Sequence, residues 1–434
     1  MKKEIRELKS YLLLWATQAF SSLGSGMTSF ALVLWLYQTS GSALQTALMS
    51  VCSYAPYVVM SIFAGTLSDR WDKKRTMLVC DLLAAMSTVA ILILYKTGRL
   101  APWHMYVLNA LNGLMNTVQR PASDVAATLL APPEYYQKTS GLRSFSSSLT
   151  TILTPVVASA VYAFGGMEII IAFDLFTFAA AFTVLLLFIQ IPEPPGKQEQ
   201  QEKMLDAAKA GLKWLRQNPL ILKLIFFLAW INLVASAFDA ALPAYLLSVP
   251  NGGETVLGLV QSCAGLATLI GSVIVTLSPK PKNRVRMVCI TLMISMSTEN
   301  FLLAFSRSPV VWCIGSILGW LSIPLMNANL DVIMRVSIPP EMQGRVFSCR
   351  NTLQFFTIPL GFLLGGWMVD DVFEPLMTLA QPEGIAARLF GTGKGSGVAA
   401  FFLLLGFAGV AVCVWYWVKL RSYHWIEPEK EAKI

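Results

Sequence analysis

Apolar residues recur along this chain in long runs, each closed by a short break rich in charge, proline or glycine. Many runs are long enough to cross a bilayer, which takes roughly 20 residues of helix. They predict twelve helices, over 11–37, 43–66, 76–95, 103–130, 139–164, 167–190, 219–248, 254–278, 287–305, 309–337, 344–369 and 397–420. The pattern predicts an all-α integral membrane protein. The longest inner break separates an N-terminal six-helix half (1–190) from a C-terminal six-helix half (219–434), with a cytoplasmic linker over 191–218. Within the linker, "EKMLDAAKAGLKWLRQNP" places Leu205, Ala208, Leu212 and Leu215 at helical spacing between lysines. That pattern fits an amphipathic helix, either lying in the headgroup plane or solvated as a plain linker.

Composition agrees. Of 434 residues, 55% are hydrophobic and 13% charged, about half the charged share of soluble domains. The net charge of +8 therefore reads as loop charge that sets topology and not as a nucleic-acid signal. With the N-terminus inside, 26 of the 33 Lys and Arg fall on inner segments and five on outer ones, Arg120 and Lys223 lying within spans. This bias obeys the positive-inside rule and predicts cytoplasmic termini. The start, "MKKEIRELKSYLLLWATQAF", lacks a short apolar region with a small-residue cleavage site and reads as a tail leading into an uncleaved span. The seven cysteines are scattered singly and the histidines are His104 and His424 alone, so neither metal nor other cofactor is expected. "GTGKGSG" in the outer loop 370–396 lacks a preceding strand and the Lys-Ser/Thr ending of a phosphate loop. It reads as a flexible turn, and ATP use is not expected.

The halves resemble each other. "SDVAATLLAPPEYYQKTSGLR" (123–143) aligns with "LDVIMRVSIPPEMQGRVFSCR" (330–350) at an offset of 207, matching Asp124 to Asp331, Pro132-Pro133-Glu134 to Pro339-Pro340-Glu341 and Arg143 to Arg350. Parallel repeats of this kind occur in secondary transporters, with substrate between the halves.

Between helices two and three lies "GTLSDRWDKKR" (65–75). It resembles the loop signature of the major facilitator superfamily, Gly-x-x-x-Asp-Arg-x-Gly-Arg-Arg/Lys-Arg/Lys. Gly65, Asp69, Arg70, Lys73 and Lys74 match, and Asp72 replaces the second glycine. That replacement, with "GLKWLRQNP" before helix seven and "PPEMQGRVFS" before helix eleven, resembles the macrolide-efflux and siderophore-exporter branch. The resemblance implies the major facilitator fold, with two six-helix pseudo-repeats and alternating access.

The signature's chemistry suggests a conformational latch. Gly65 permits close helix approach, Asp69 can accept from a helix N-terminus, and Arg70 can pair with an inner-end acid, for which Asp124 is the candidate. Such contacts favour the state closed to the cytoplasm. The plainer reading, that the charge anchors the loop inside, is compatible with this. The second half has no acid at the position of Asp69 in "GSVIVTLSPKPKNRVR".

Ionisable residues within spans are functional candidates: Asp81, Arg120, Asp124, Asp174, Asp239, Glu299, Asp331 and Lys223. Arg120/Asp124 and Asp331/Arg335 are four apart and can pair on one helix face. Asp81 and Asp174 fall on helices three and six, peripheral in the resembled fold, and suit helix-packing hydrogen bonds. Asp239, on helix seven in "NLVASAFDAALPAYL", has no basic residue within four positions. A lone carboxylate there can alternate between a proton and a cationic substrate, and Glu299 is the second candidate for that role. Gln18, Asn112, Asn116, Arg120, Asn232, Phe238, Trp320 and Asn327 are the substrate-binding candidates, with Asn329, Phe20 and Trp230 on the same helices. A mostly apolar pocket with a few amides suits a bulky amphiphile.

"TILTPVVASAVY" in helix five resembles the antiporter motif of drug exporters, keeping Pro155 but with Thr154, Ala158 and Ser159 for glycines; "TIPLGFLLGG" in helix eleven keeps Pro359, Gly361, Gly365 and Gly366. The arginine expected early in helix four of proton-coupled exporters is replaced by Asn109. The resulting expectation is a non-enzymatic, monomeric exporter in the bacterial plasma membrane. It would expel a hydrophobic or cationic amphiphile, such as a macrolide-like drug or secreted metabolite, by proton antiport. The alternatives are a lipid or metabolite transporter of other direction, and a sensor or immunity protein that binds without transporting.

Overall fold

The computed structural model describes residues 8–132, 135–192, 204–279, 281–339, 342–379, 381, 383–421 and 423, without side chains for 61–70 and a few others. No strand occurs among them. Helices α1 (Lys9–Ser40), α2 (Ala43–Arg70), α3 (Lys73–Lys96) and α4 (Pro102–Leu130) come first. The helical stretch Tyr136–Phe188 breaks at Gly166, whose φ of 66° takes the chain out of helical geometry; it supplies α5 (136–165) and α6 (167–188). Then follow α7 (Met204–Gln217), α8 (Pro219–Ser248), α9 (Glu254–Leu277) and α10 (Arg284–Phe305).

The tenth and eleventh predicted spans are segmented. One runs as α11 (Pro309–Leu321) and α12 (Ile323–Ser337), the other as α13 (Gln343–Phe355) and α14 (Thr357–Trp367), continuing through a π-helical turn (Met368–Phe373) into α15 (Glu374–Thr378). Each break falls just before a proline, Pro324 or Pro359, where the ring clashes with the carbonyl four residues back and the amide donor is missing. The hydroxyl of Ser322 at the first break donates to the Thr291 carbonyl (3.0 Å). A short α16 (Ile385–Phe390) precedes α17 (Ser396–Leu420).

Ten helical stretches among the described residues are long and apolar enough to cross a membrane. One of them is the α5–α6 pair. Helix α4, 29 residues long, adds a further crossing whose hydropathy is diluted by Asn109, Asn112, Asn116, Gln119, Arg120 and Asp124. Among the described residues these make twelve crossings.

The chain forms two compact units, one of Met1–Met204 with Gly253–Ser262, the other of Leu205–Gly252 with Cys263–Ile434. In the first, α1 lies against α6: a Cβ at Gly24 would stand 2.9 Å from the Asp174 backbone. Asp174 there accepts from Ser25 (2.9 Å) and Thr28 (2.8 Å). Asp81 accepts from Gln119 (2.5 Å) and Gln18 (3.4 Å). Both acids are thus helix-packing hydrogen-bond acceptors.

The charged connection after α2 is built for helix termini. Asp72, in the place of the signature's glycine, is the N-cap of α3 and accepts from the Arg75 amide (2.7 Å), satisfying one of the orphan donors of a first turn. Lys74 donates to the carbonyls of Leu186 (2.9 Å) and Ile189 (2.7 Å), a cation at the negative end of α6. Lys73 is buried and donates to the Trp71 carbonyl. The backbone of Gly65, Asp69 and Arg70 continues α2; their side chains, and with them the pairing of Arg70 with Asp124, lie outside those described.

In the second unit, α7 docks on α13. A Cβ at Gly211 would stand 2.7 Å from the Arg345 carbonyl oxygen, and the Cys349 thiol donates to the Ala208 carbonyl (3.4 Å). Leu215 is fully buried. The apolar stripe read from the linker therefore meets protein, which neither the headgroup nor the solvated reading anticipated. The "GTGKGSG" turn holds Gly391, Gly393 and Gly395 at φ of 74°, 90° and 91°, and Glu374 accepts from the amides of Gly395 (3.0 Å) and Val398 (3.3 Å) at the start of α17.

Candidate functional site

The second unit contains a cavity of about 310 Å³. Helix α8 lines it with Leu228, Ile231, Asn232, Ala235, Phe238 and Asp239, spaced three and four apart on one face. Helix α10 contributes Leu292, Ser295, Met296, Glu299 and Asn300 by the same periodicity, and Trp320, Met326 and Asn327 face in from α11 and α12. Arg350 and Gln354 come from α13. Apolar groups predominate around a few polar ones, as in pockets for bulky organic ligands.

Close backbone contacts hold these helices. A Cβ at Gly361 would stand 2.4 Å from the Leu233 carbonyl oxygen, and one at Gly365 2.5 Å from that of Ala237. Thus the α14 glycines let it press directly on α8. The Thr357 hydroxyl donates to the Ala229 carbonyl (2.8 Å), and Asn232 Nδ2 to the Gln354 carbonyl (3.0 Å).

Two carboxyls sit in this cavity in different settings. Glu299 is 7% exposed and lies beside Ser316 and Trp320. Gly319 makes room for it, since a Cβ there would stand 2.9 Å from Glu299 Oε2. Asp239 opens onto the cavity and has no hydrogen-bond partner among the described residues. The pair lies within electrostatic reach of each other. Asn300, 3% exposed, donates Nδ2 to the Met296 carbonyl (2.8 Å) and leaves Oδ1 without a partner.

Asn232, Phe238, Asp239, Glu299, Trp320 and Asn327, all singled out from sequence, therefore line one cavity. Gln18 and Arg120 line a separate cleft of about 390 Å³ in the first unit, among Ser22, Ser146, Thr150 and Thr151. Asn112 and Asn116 line neither. Asn112 Oδ1 is buried without a partner beside Gly113, where a Cβ would stand 2.1 Å from the Ser53 carbonyl oxygen. Asn329 bonds Arg284 (3.0 Å) instead of facing the cavity, and Phe20 and Trp230 are exposed and line neither pocket. Asn109 donates to its own helix at Met105 (3.0 Å).

The expected Arg120–Asp124 pair does not form. Asp124 pairs with Arg143, which reaches it from the next helix. Asp331 does pair with Arg335 (3.9 Å). Arg350, Gln354 and Asn300 were missed as cavity residues.

A helical membrane bundle with a ligand-sized cavity and ionisable groups inside it is the construction of a membrane transporter. The chain belongs to the Major Facilitator Superfamily, whose family model matches residues 14–362. It is 25% identical over 370 residues to Macrolide efflux protein A of Streptococcus pyogenes, covering 84% of this chain and 90% of that protein. To the Multidrug efflux pump Tap of Mycolicibacterium fortuitum it is 23% identical over 364 residues, covering 80% and 86%. Its fold matches a bacterial homolog to the human lysosomal transporter Spinster, in an inward-facing and occupied conformation, with a TM-score of 0.70 at 12% identity over 96% of this chain and 98% of that one. Family and relatives are multi-pass transporters that move small molecules.

Proposed function

We propose that this protein exports a bulky, cationic amphiphile by alternating access and drives it by proton antiport, with Asp239 and Glu299 trading a proton for the substrate's cation. The observation that carries this reading is Asp239, a carboxyl open to an apolar cavity with no hydrogen-bond partner among the described residues. A group so placed exchanges partners at little cost, because it gives up no protein hydrogen bond on binding a proton or a cation. Relatives named for macrolide and multidrug efflux support the class of substrate. The loop signature around Gly65, Asp69, Arg70, Lys73 and Lys74, with Asp124, supports a latch for the state closed to the cytoplasm.

The reading includes a six-plus-six division, a monomer in the bacterial plasma membrane, and both termini in the cytoplasm, the last from the Lys/Arg bias. It is tested in inside-out vesicles with an acidic lumen, following uptake of a macrolide and of a fluorescent cationic dye. Gradient-dependent accumulation above empty vesicles is expected. Failure to move either compound would turn the assignment toward lipids, other metabolites or a non-transporting sensor.

A further inference from the structure

The internal repeat supplies a comparison within one chain. In the first half, the arginine at the repeat position, Arg143, is engaged by Asp124. In the second half, the acid at the matching position, Asp331, pairs with Arg335 on its own helix. The matching arginine, Arg350, lines the cavity of the second unit as Arg143 lines the cleft of the first; its Nε donates to Gln354 Oε1 (3.1 Å) and its guanidinium lies 6.0 Å from the Phe347 ring. Both copies of the motif thus present their arginine to the cavity of their own unit.

The cavity consequently has two polar ends. Asp239 and Glu299 form one, with the buried and unpartnered Asn300 Oδ1 beside them. All are acceptors for a proton-bearing group. Arg350 and Gln354 form the other. Guanidinium carries five N–H donors and no acceptor, so the part of a ligand that meets it must be an acceptor. Asn232 is bonded to the Gln354 carbonyl and precedes Asp239 by seven residues in one unbroken helix. At about 1.5 Å per residue, the two ends stand roughly 10 Å or more apart. The wall between them is apolar, formed by Ile231, Ala235, Phe238, Met296 and Met326.

We infer that the cavity of the second unit selects dipolar amphiphiles. Their ammonium group sits at Asp239, Glu299 and Asn300, and a carbonyl, ester or carboxylate oxygen at Arg350, with an apolar body between. This rests on the reading of that cavity as the substrate chamber and adds a second specificity-determining pole, Arg350 with Gln354.

The test uses the full chain in lipid nanodiscs and two probes. One is a macrolide bearing a tertiary amine and ester and ketone oxygens. The other is tetraphenylphosphonium, a cation with no hydrogen-bond acceptor. For Arg350→Gln the ratio of macrolide to tetraphenylphosphonium affinity is expected to fall about tenfold, with Arg350→Lys intermediate, while Asp239→Asn weakens both probes together. An unchanged ratio in Arg350→Gln, or equal loss of both probes in Arg350→Gln and Arg350→Lys, would overturn the second pole and leave the chamber standing. Absence of binding by the wild type to either probe would instead overturn the chamber reading, and the inference with it.

Discussion

Asp124 on α4 and Arg143 on α5 close an ion pair across nineteen residues of chain, with both side chains about half exposed. Exposed pairs contribute little, typically about 0.2–1 kcal/mol, because water and side-chain entropy offset the attraction. A double-mutant cycle of Asp124→Asn and Arg143→Gln, read by thermal melting in detergent, is expected to give a coupling energy of at most about 1 kcal/mol. Any larger defect in transport would then report on the conformational cycle and not on stability.

At the α3 N-cap, the carboxylate of Asp72 holds the Arg75 amide. Asp72→Ala is expected to cost about 1 kcal/mol, and Asp72→Gly only a few tenths, since glycine tolerates the cap conformation and leaves the amides open to water. Melting temperatures of the two variants should differ in that order. Equal losses would show that the side chain does something besides capping.

Two glycines make opposite predictions. A Cβ at Gly365 meets the Ala237 backbone at 2.5 Å, whereas one at Gly141 in α5 meets nothing within 4 Å. Gly365→Ala should destabilise by about 1–3 kcal/mol through forced separation of α14 from α8. Gly141→Ala should stabilise by about 0.5–1 kcal/mol by lowering the entropy of the unfolded chain and favouring helix. Melting curves of both variants decide it.

Hydrophobic patterning made the spans legible because bilayer thickness imposes length and apolarity on every helix. The breaks before Pro324 and Pro359 were not anticipated, since the apolar pattern predicts unbroken spans over 309–337 and 344–369. Asn232 and Asp239 both stand out as polar residues of one span, and being seven apart they do share a face. Periodicity does not say which helix that face meets. For this reason the docking of α7 on α13 and the turn of Arg350 into the cavity were not legible. Arg350 counted as one more inner-end cation under the positive-inside rule, although its side chain bonds Gln354. The Arg120–Asp124 expectation failed for a related reason: spacing of four permits a pair on one helix, but Arg143 on the neighbouring helix reaches the same carboxylate.

Exchange of a proton for a cation at Asp239 and Glu299 should register as proton release on binding. Among the described residues of the cavity, the titratable and charged groups are Asp239, Glu299 and Arg350. A bound cation favours the ionised carboxyl, so ligand should displace a proton and bind more tightly as pH rises. Purified protein in weakly buffered solution with a pH-sensitive dye should therefore release protons as macrolide binds. That release, and the rise of affinity with pH, should be reduced in Asp239→Asn or Glu299→Gln and absent in the double variant. Macrolide binding by the wild type without proton release, at an affinity indifferent to pH, would contradict the account.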